Sequence, residues 1–298
     1  MPRPERGTTS SAYRQRLVAL LRNSAQELGV PAQRLQQRVA FERLLARLSP
    51  DHWLLKGGFA LELRYNWMHR PTRDIDLRTH APLDEALATL RGELTHSSTP
   101  DQFTFELGAT VSEMQGAPGG AIRISVIARL AGATFAQFHV DLSSGDAVVG
   151  QPDIMVGSDL LGFTGIAPVR FPVYPVAQHL AEKLHAYTLP RDHENTRAKD
   201  LVDLAALAAL ESVDGARLLA SVQATFDVRA THTPPVQLPR PPMRWSSAFL
   251  ALLAESPGLP ATNLQEGYEL AATFWNPALT GDVRAMGWTP AGRRWVAN

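Results

Sequence analysis

Apolar residues recur at helical spacing from Ser11 to about Ser49 (Leu17, Leu20 and Leu21, then Leu35, Val39, Leu44, Leu45 and Leu48), and the break at Gly29-Val30-Pro31 predicts two helices rather than one. Trp53-Leu54-Leu55 is a short apolar entry into the glycine turn Gly57-Gly58, followed by a helix over 59–66. Arg73 to Thr79 alternates with period two, placing Ile75 and Leu77 on one side and Asp74 and Asp76 on the other, which predicts a strand with a buried face. A helix is expected over 84–94, strands over 103–111, 121–130 and 134–142, and, past a loop-rich stretch, a short strand over 169–174. The helical period returns at 175–189 and 197–210, joined by the polar segment 190–196. Residues 231–242 hold five prolines and read as extended, either a linker or a wrapping arm, ahead of helices over 245–254 and 263–274. These shifts divide the chain into a helical N-terminal segment (1–50), a strand-rich core (51–174) and a helical C-terminal domain (175–298).

At 298 residues and 45% hydrophobic content, the chain can bury a sizeable core. Lys plus Arg and Asp plus Glu both total 29, so bulk-charge binding to nucleic acid or membrane is not expected and a charged partner must be met locally. Residues 1–50 are the local exception, with nine arginines against three glutamates; Arg34 and Arg38, one turn apart, mark either a phosphate-backbone contact or a solvated helix face. The absence of cysteine excludes disulfides, thiol nucleophiles, iron–sulfur clusters and zinc knuckles. No stretch reaches the ~18 apolar residues of a membrane span and no signal-peptide run opens the sequence, so a cytoplasmic location without a membrane partner is expected. Trp245, Trp275, Trp288 and Trp295 are expected to anchor packing.

The candidate chemistry begins at Gly57-Gly58, because a glycine pair opening a helix lets backbone N–H groups approach an anion where the helix dipole favours phosphate. After fifteen intervening residues, Asp74 and Asp76 project from one strand face, where two carboxylates can share a hard divalent cation such as Mg²⁺. Thr72 and Arg73 add a hydroxyl and a cation just before them. Asp141, beside Ser143-Ser144-Gly145, is either a third carboxylate for a two-metal site or a cap on that turn. Lys183 stands in an otherwise apolar helix, and Arg197, Asp200 and Asp203 follow at single-turn spacing, predicting a charged seam between two helices. Either Lys183 neutralises a triphosphate, with Asp200 holding it or acting as a base, or the cluster is structural. Only three of the 29 basic residues are lysines, Lys56, Lys183 and Lys199, and each falls inside one of these motifs. Among them Lys183 is expected to need a compact ammonium that arginine cannot replace. No His-x-x-x-His spacing, Gly-x-Ser-x-Gly elbow or P-loop is present.

Taken in order, Leu55-Lys56-Gly57-Gly58-Phe59-Ala60-Leu61, then Arg70-Pro71-Thr72-Arg73-Asp74-Ile75-Asp76-Leu77, then Lys183 through Arg197-x-x-Asp200-Leu201-x-Asp203-Leu204, resemble the successive motifs of the AbiEii/AbiGii nucleotidyltransferase toxins, which include the MenT toxins. The resemblance covers about residues 50–210. It implies a DNA polymerase β-like nucleotidyltransferase fold of the α/β (α+β) class, a small mixed sheet followed by a helical C-terminal domain. It further implies that Gly57 and Gly58 bind the triphosphate, that Asp74 and Asp76 hold metal, and that Lys183 and Asp200 complete the catalytic set. Thr72 matches a position where the family carries Ser or Thr; beside these, Lys56, Arg73 and Arg197 are expected as further nucleotide contacts and Asp141 as a candidate metal ligand. The interval between Gly58 and Asp74 is longer than usual for nucleotidyltransferases, and no motif can be placed in the sequence after about residue 230.

The implied activity is Mg²⁺-dependent transfer of NMP from an NTP to an RNA acceptor, foremost a tRNA 3′ end, by a toxin of a toxin–antitoxin or phage-defence system with a cognate antitoxin protein. The alternatives are NMP transfer to a protein hydroxyl, and a non-catalytic module of the same fold that binds nucleotide or a partner.

Overall fold

The N-terminal helical pattern folds as α1 (Ser10–Leu28) and α2 (Ala32–Leu45), separated at Gly29, whose φ of 64° suits the left-handed end of a helix. The computed structural model describes residues 10–66, 70–96, 99, 101–114, 117–190 and 197–298. Seven strands follow in chain order: β1 (Leu54–Lys56), β2 (Asp74–Thr79), β3 (Phe103–Met114), β4 (Ala121–Leu130), β5 (Ala133–Ser144), β6 (Asp153–Val156) and β7 (Arg170–Val173). Between them lie α3 (Gly57–Tyr65) and α4 (Leu83–His96). The strands form one mixed sheet in the order β3-β4-β5-β2-β1-β7-β6. β3, β4 and β5 pair antiparallel, β5 and β2 parallel, and β1 is antiparallel to β2 but parallel to β7. β6 lies in the stretch expected to be loop-rich; four residues with exposed Ile154 and Val156 carry too little pattern, and sheet pairing makes the strand.

The chain divides into two compact units, the first formed by Met1–Phe59, Thr72–Ser144 and Ile154–Val173. Its core joins α2 to the sheet: Phe41 meets Phe59 and Phe138 edge-to-face at 4.9 and 4.8 Å, beside the fully buried Leu35, Ile75, Leu77, Val140 and Leu142. Arg38 departs from both sequence expectations. It is 2% exposed and pairs with Glu42 at 2.9 Å, so it neither faces solvent nor reaches a phosphate. Apolar neighbours on α2 carry it inside, and Glu42 compensates the charge while also accepting from the Ser158 backbone N–H and hydroxyl.

The second unit comprises Ala60–Pro71, Gly145–Asp153 and Tyr174–Asn298. It contains α5 (Val176–Thr188), α6 (Ala198–Leu210), α7 (Gly215–Arg229), α8 (Ser246–Ala254) and α9 (Leu264–Leu279). α6 is buried along most of its length, as expected of a helix apolar on nearly every side. The unit is not wholly helical, because β8 (Val213–Asp214), β9 (Met286–Thr289) and β10 (Arg294–Ala297) form a small antiparallel sheet. Trp245, Trp275 and Trp288 are buried, and the Trp288 indole donates to the Ala208 carbonyl at 2.7 Å. The proline-rich segment wraps rather than links. Leu238 is buried, its N–H donates to Asn276 Oδ1 at 2.9 Å, and the Tyr187 hydroxyl donates to the Pro239 carbonyl at 2.7 Å. Residues 191–196 of the polar segment between α5 and α6 lie outside the described residues. Among the described residues, no helix is long and apolar enough to cross a membrane.

Candidate active site

Strand alternation puts Asp74 and Asp76 on one face of β2 and buries Ile75 and Leu77 on the other. Register then brings further chemistry to the acidic face. β5 sets His139 opposite Asp74 and Asp141 opposite Asp76, β1 sets Lys56 opposite Asp76, and β4 sets Arg123 opposite Asp141. Asp141 therefore lies inside β5 and does not cap the turn after it. Its carboxylate accepts a bidentate pair from Arg123, Nε at 2.8 Å and Nη2 at 2.7 Å. The same Nη2 donates to Asp74 Oδ2 at 3.1 Å, and His139 Nδ1 lies 3.4 Å from Asp74 Oδ1. Hydrogen bonding to Asp141, reinforced by the charges of Asp74 and Asp76, raises the Arg123 pKa above its ordinary value. The face is open: the side chains of Asp74, Arg123 and His139 are 29%, 32% and 40% exposed.

The glycine turn closes the long interval in sequence. Gly57 has a φ of 66°, and a Cβ there would collide with the Asp76 carboxylate. A Cβ on Gly58 would come within 2.7 Å of Thr72 Oγ1, whose hydroxyl donates to the Asp74 carbonyl at 3.4 Å. Arg73 is exposed, and its carbonyl accepts from the Gln37 side chain at 3.1 Å. Among the described residues no three His, Asp or Glu side chains group closely enough to hold a metal ion between them. Two carboxylates nonetheless suit Mg²⁺, which binds through one or two of them and completes its shell with water and substrate phosphate. Asp74 and Asp76 are such a pair, and the backbone beside Asp76 carries no side chain.

The second unit holds the predicted seam. Lys183 on α5 is 13% exposed at its side chain, with Nζ 2.6 Å from Asp203 Oδ2 and 3.3 Å from Asp200 Oδ1, both on α6. Asp203 is thus the closer partner, although only Asp200 was expected to hold the lysine. Arg70 grips Asp203 bidentately at 2.9 and 2.8 Å, and Arg197 Nη1 reaches Asp200 Oδ2 at 3.4 Å. Burial opposes the Lys183 charge, but Asp203 and Asp200 overcome it and raise the ammonium pKa above the ordinary lysine value. Lys199 is exposed on α6. Sequence reasoning missed Arg70, Arg123 and His139. Arg70 opens the motif that contains Asp74, a signal that was available, whereas Arg123 and His139 join the carboxylates only through strand register.

A family model described as "Nucleotidyl transferase AbiEii toxin, Type IV TA system" matches residues 40–269. Among solved structures the chain is similar to MenT4, a nucleotidyltransferase toxin from Mycobacterium tuberculosis, with 19% identity and a TM-score of 0.52 over 93% of this chain and 100% of that one. It is also similar to JHP933 from Helicobacter pylori, with 15% identity and a TM-score of 0.46 over 84% of this chain and 93% of that one. No curated protein matches the sequence. The fold is that of the polymerase β-like nucleotidyltransferases, a mixed sheet with a C-terminal helical region.

Proposed function

The chain belongs to the AbiEii nucleotidyltransferase toxin family, and from that premise we propose that it transfers an NMP from an NTP to an RNA acceptor, foremost the 3′ end of a tRNA, releasing pyrophosphate. The observation that carries the reading is the packing of the Gly57 turn against Asp76 and of Gly58 against Thr72. It sets side-chain-free backbone beside a carboxylate pair, which suits a phosphate meeting a divalent cation.

Asp74 and Asp76 would hold Mg²⁺, and Asp141 completes the carboxylate set of that face. When bound, the ion supplies charge neutralisation for the transferred phosphoryl group. Backbone N–H groups at Gly57 and Gly58, with Lys56, Thr72 and Arg73, hold the NTP phosphates. In the transfer, the acceptor oxygen bonds to the α-phosphorus as the bond to pyrophosphate breaks, and the hydroxyl proton passes to a carboxylate of the acidic face. The roles of Lys183, Asp200 and Arg197 follow the order of the family's motifs. By that order Lys183 and Asp200 are proposed as catalytic residues and Arg197 as a nucleotide contact, with Asp203 and Asp200 together keeping the Lys183 ammonium charged. A cytoplasmic toxin with a cognate antitoxin protein is the biological setting proposed.

The test incubates the purified protein with each labelled NTP, Mg²⁺ and either total tRNA or protein. Label on tRNA is expected. Label on protein instead would favour transfer to a protein hydroxyl, and nucleotide binding without transfer would favour a non-catalytic module.

A further inference from the structure

We propose that Arg123 is a resident counter-cation of the carboxylate face: it bridges Asp141 and Asp74, and a divalent ion binding at Asp74 would have to compete with it. The inference rests on the reading of Asp74 and Asp76 as the metal-holding pair. Arg123 belongs to none of the motifs that suggested that reading and reaches the face from β4.

β2 and β5 set Asp74, Asp76 and Asp141 on one sheet face, with Lys56 opposite Asp76 as a further cation. Carboxylates so grouped repel one another, and a cation held between them offsets that repulsion. A guanidinium supplies permanent positive charge with a planar fork that spans two acids. The two arms of Arg123 are unequal. Toward Asp141 it makes a bidentate pair at 2.8 and 2.7 Å, and the Asp141 side chain is 9% exposed. Toward Asp74 it makes a single contact at 3.1 Å, and Asp74 is three times as open.

A lone, solvent-exposed ion-pair contact exchanges cheaply, whereas a sheltered bidentate pair persists. The Asp74 arm is therefore the one a metal displaces, and the Asp141 arm keeps Arg123 anchored while this happens. Arg123 is thus a positioning residue. It holds the free protein's affinity for a bare ion low, so that a metal is retained chiefly when it arrives with nucleotide phosphates that add ligands of their own.

The experiment titrates the full-length protein with Mn²⁺ alone and follows free Mn²⁺ by electron paramagnetic resonance, with folding of each variant confirmed by circular dichroism. Arg123→Gln is expected to bind Mn²⁺ about tenfold more tightly than the parent, since a competing charge has been removed. Arg123→Lys keeps the charge but loses the fork and is expected to fall between the two, which supplies a readout should the glutamine variant not fold. Adding a non-hydrolysable NTP analogue should shrink the difference. Unchanged or weaker Mn²⁺ binding by folded Arg123 variants would overturn the proposal. Asp74→Asn separates the two layers of argument: undiminished Mn²⁺ binding there overturns the metal-pair reading itself, whereas lost binding there with no effect at Arg123 overturns only the role of Arg123.

Discussion

The acidic face of the first unit and the charged seam of the second use the same residue types to different ends. On the face, Asp74 and Arg123 meet at 3.1 Å with side chains 29% and 32% exposed. In the seam, Lys183 and Asp203 meet at 2.6 Å, with the Asp203 side chain fully inaccessible and also held by Arg70. An exposed pair is worth ~0–1 kcal/mol and can exchange its partner for a ligand. A buried pair gains stability over alternatives only modestly, yet removing one partner strands a charge at a cost of ~3–5 kcal/mol. The face is thus suited to binding and the seam to holding Lys183 in one place.

The sharpest test of that difference is Asp74→Ala. Transfer should fall by about 10³-fold or more, as for loss of a group that organises transition-state charge, while unfolding in urea shifts by less than about 1 kcal/mol. Retained transfer and toxicity in a folded Asp74→Ala protein would remove the functional half of the comparison.

Asp203→Asn should do the reverse, costing about 3–5 kcal/mol of stability in the same urea measurement, because Arg70 and Lys183 lose their shared carboxylate. A loss below about 1 kcal/mol would make the seam no different from an exposed pair.

A smaller effect is expected at the glycine turn. Gly57→Ala combines a left-handed φ with a collision against Asp76, so it should cost more than the ~1–2 kcal/mol of the conformational penalty alone and should also depress transfer. Gly29→Ala shares the positive φ but has nothing within 4 Å of its Cβ, so it should show the penalty without the loss of transfer.

Smaller again is Lys183→Arg, expected to reduce transfer about tenfold despite the preserved charge, whereas Lys56→Arg and Lys199→Arg should each change it by less than about threefold. The same variant has a pH signature. The folded-state pKa of Lys183 is raised above 10.5, so its stabilising contribution is complete below that pH and is lost as pH rises through the folded value. The alkaline fall in the urea midpoint above pH 10.5 should be shallower in Lys183→Arg, whose guanidinium stays charged.

Much of the fold was legible because its periods are local. The break at Gly29, the alternation of Asp74 to Thr79 and the long strands β3 to β5 each announce themselves within a dozen residues. β6 and β8 to β10, at two to four residues each, are too short for a period to register, and pairing partners create them. Arg38 shows the same limit at one side chain, since an arginine on a helix reads as solvent-facing until Glu42 and the surrounding packing are in place.

The order of the motifs, the i, i+2 carboxylates and the retention of lysine at Lys183 were determined by the sequence alone, because residue type and spacing suffice to state them. Which carboxylate holds that lysine more closely was not, since Asp200 and Asp203 stand one turn apart on α6 and both are candidates until α5 packs on α6. Only tertiary structure decided that Arg123 bonds to Asp141 eighteen residues away, that Gly57 abuts Asp76, and that Arg70 clamps Asp203 across 133 residues. The physical reason is common to all three: a local period orients a side chain toward one face, but the partner it meets there is set by strand register and helix packing between distant segments.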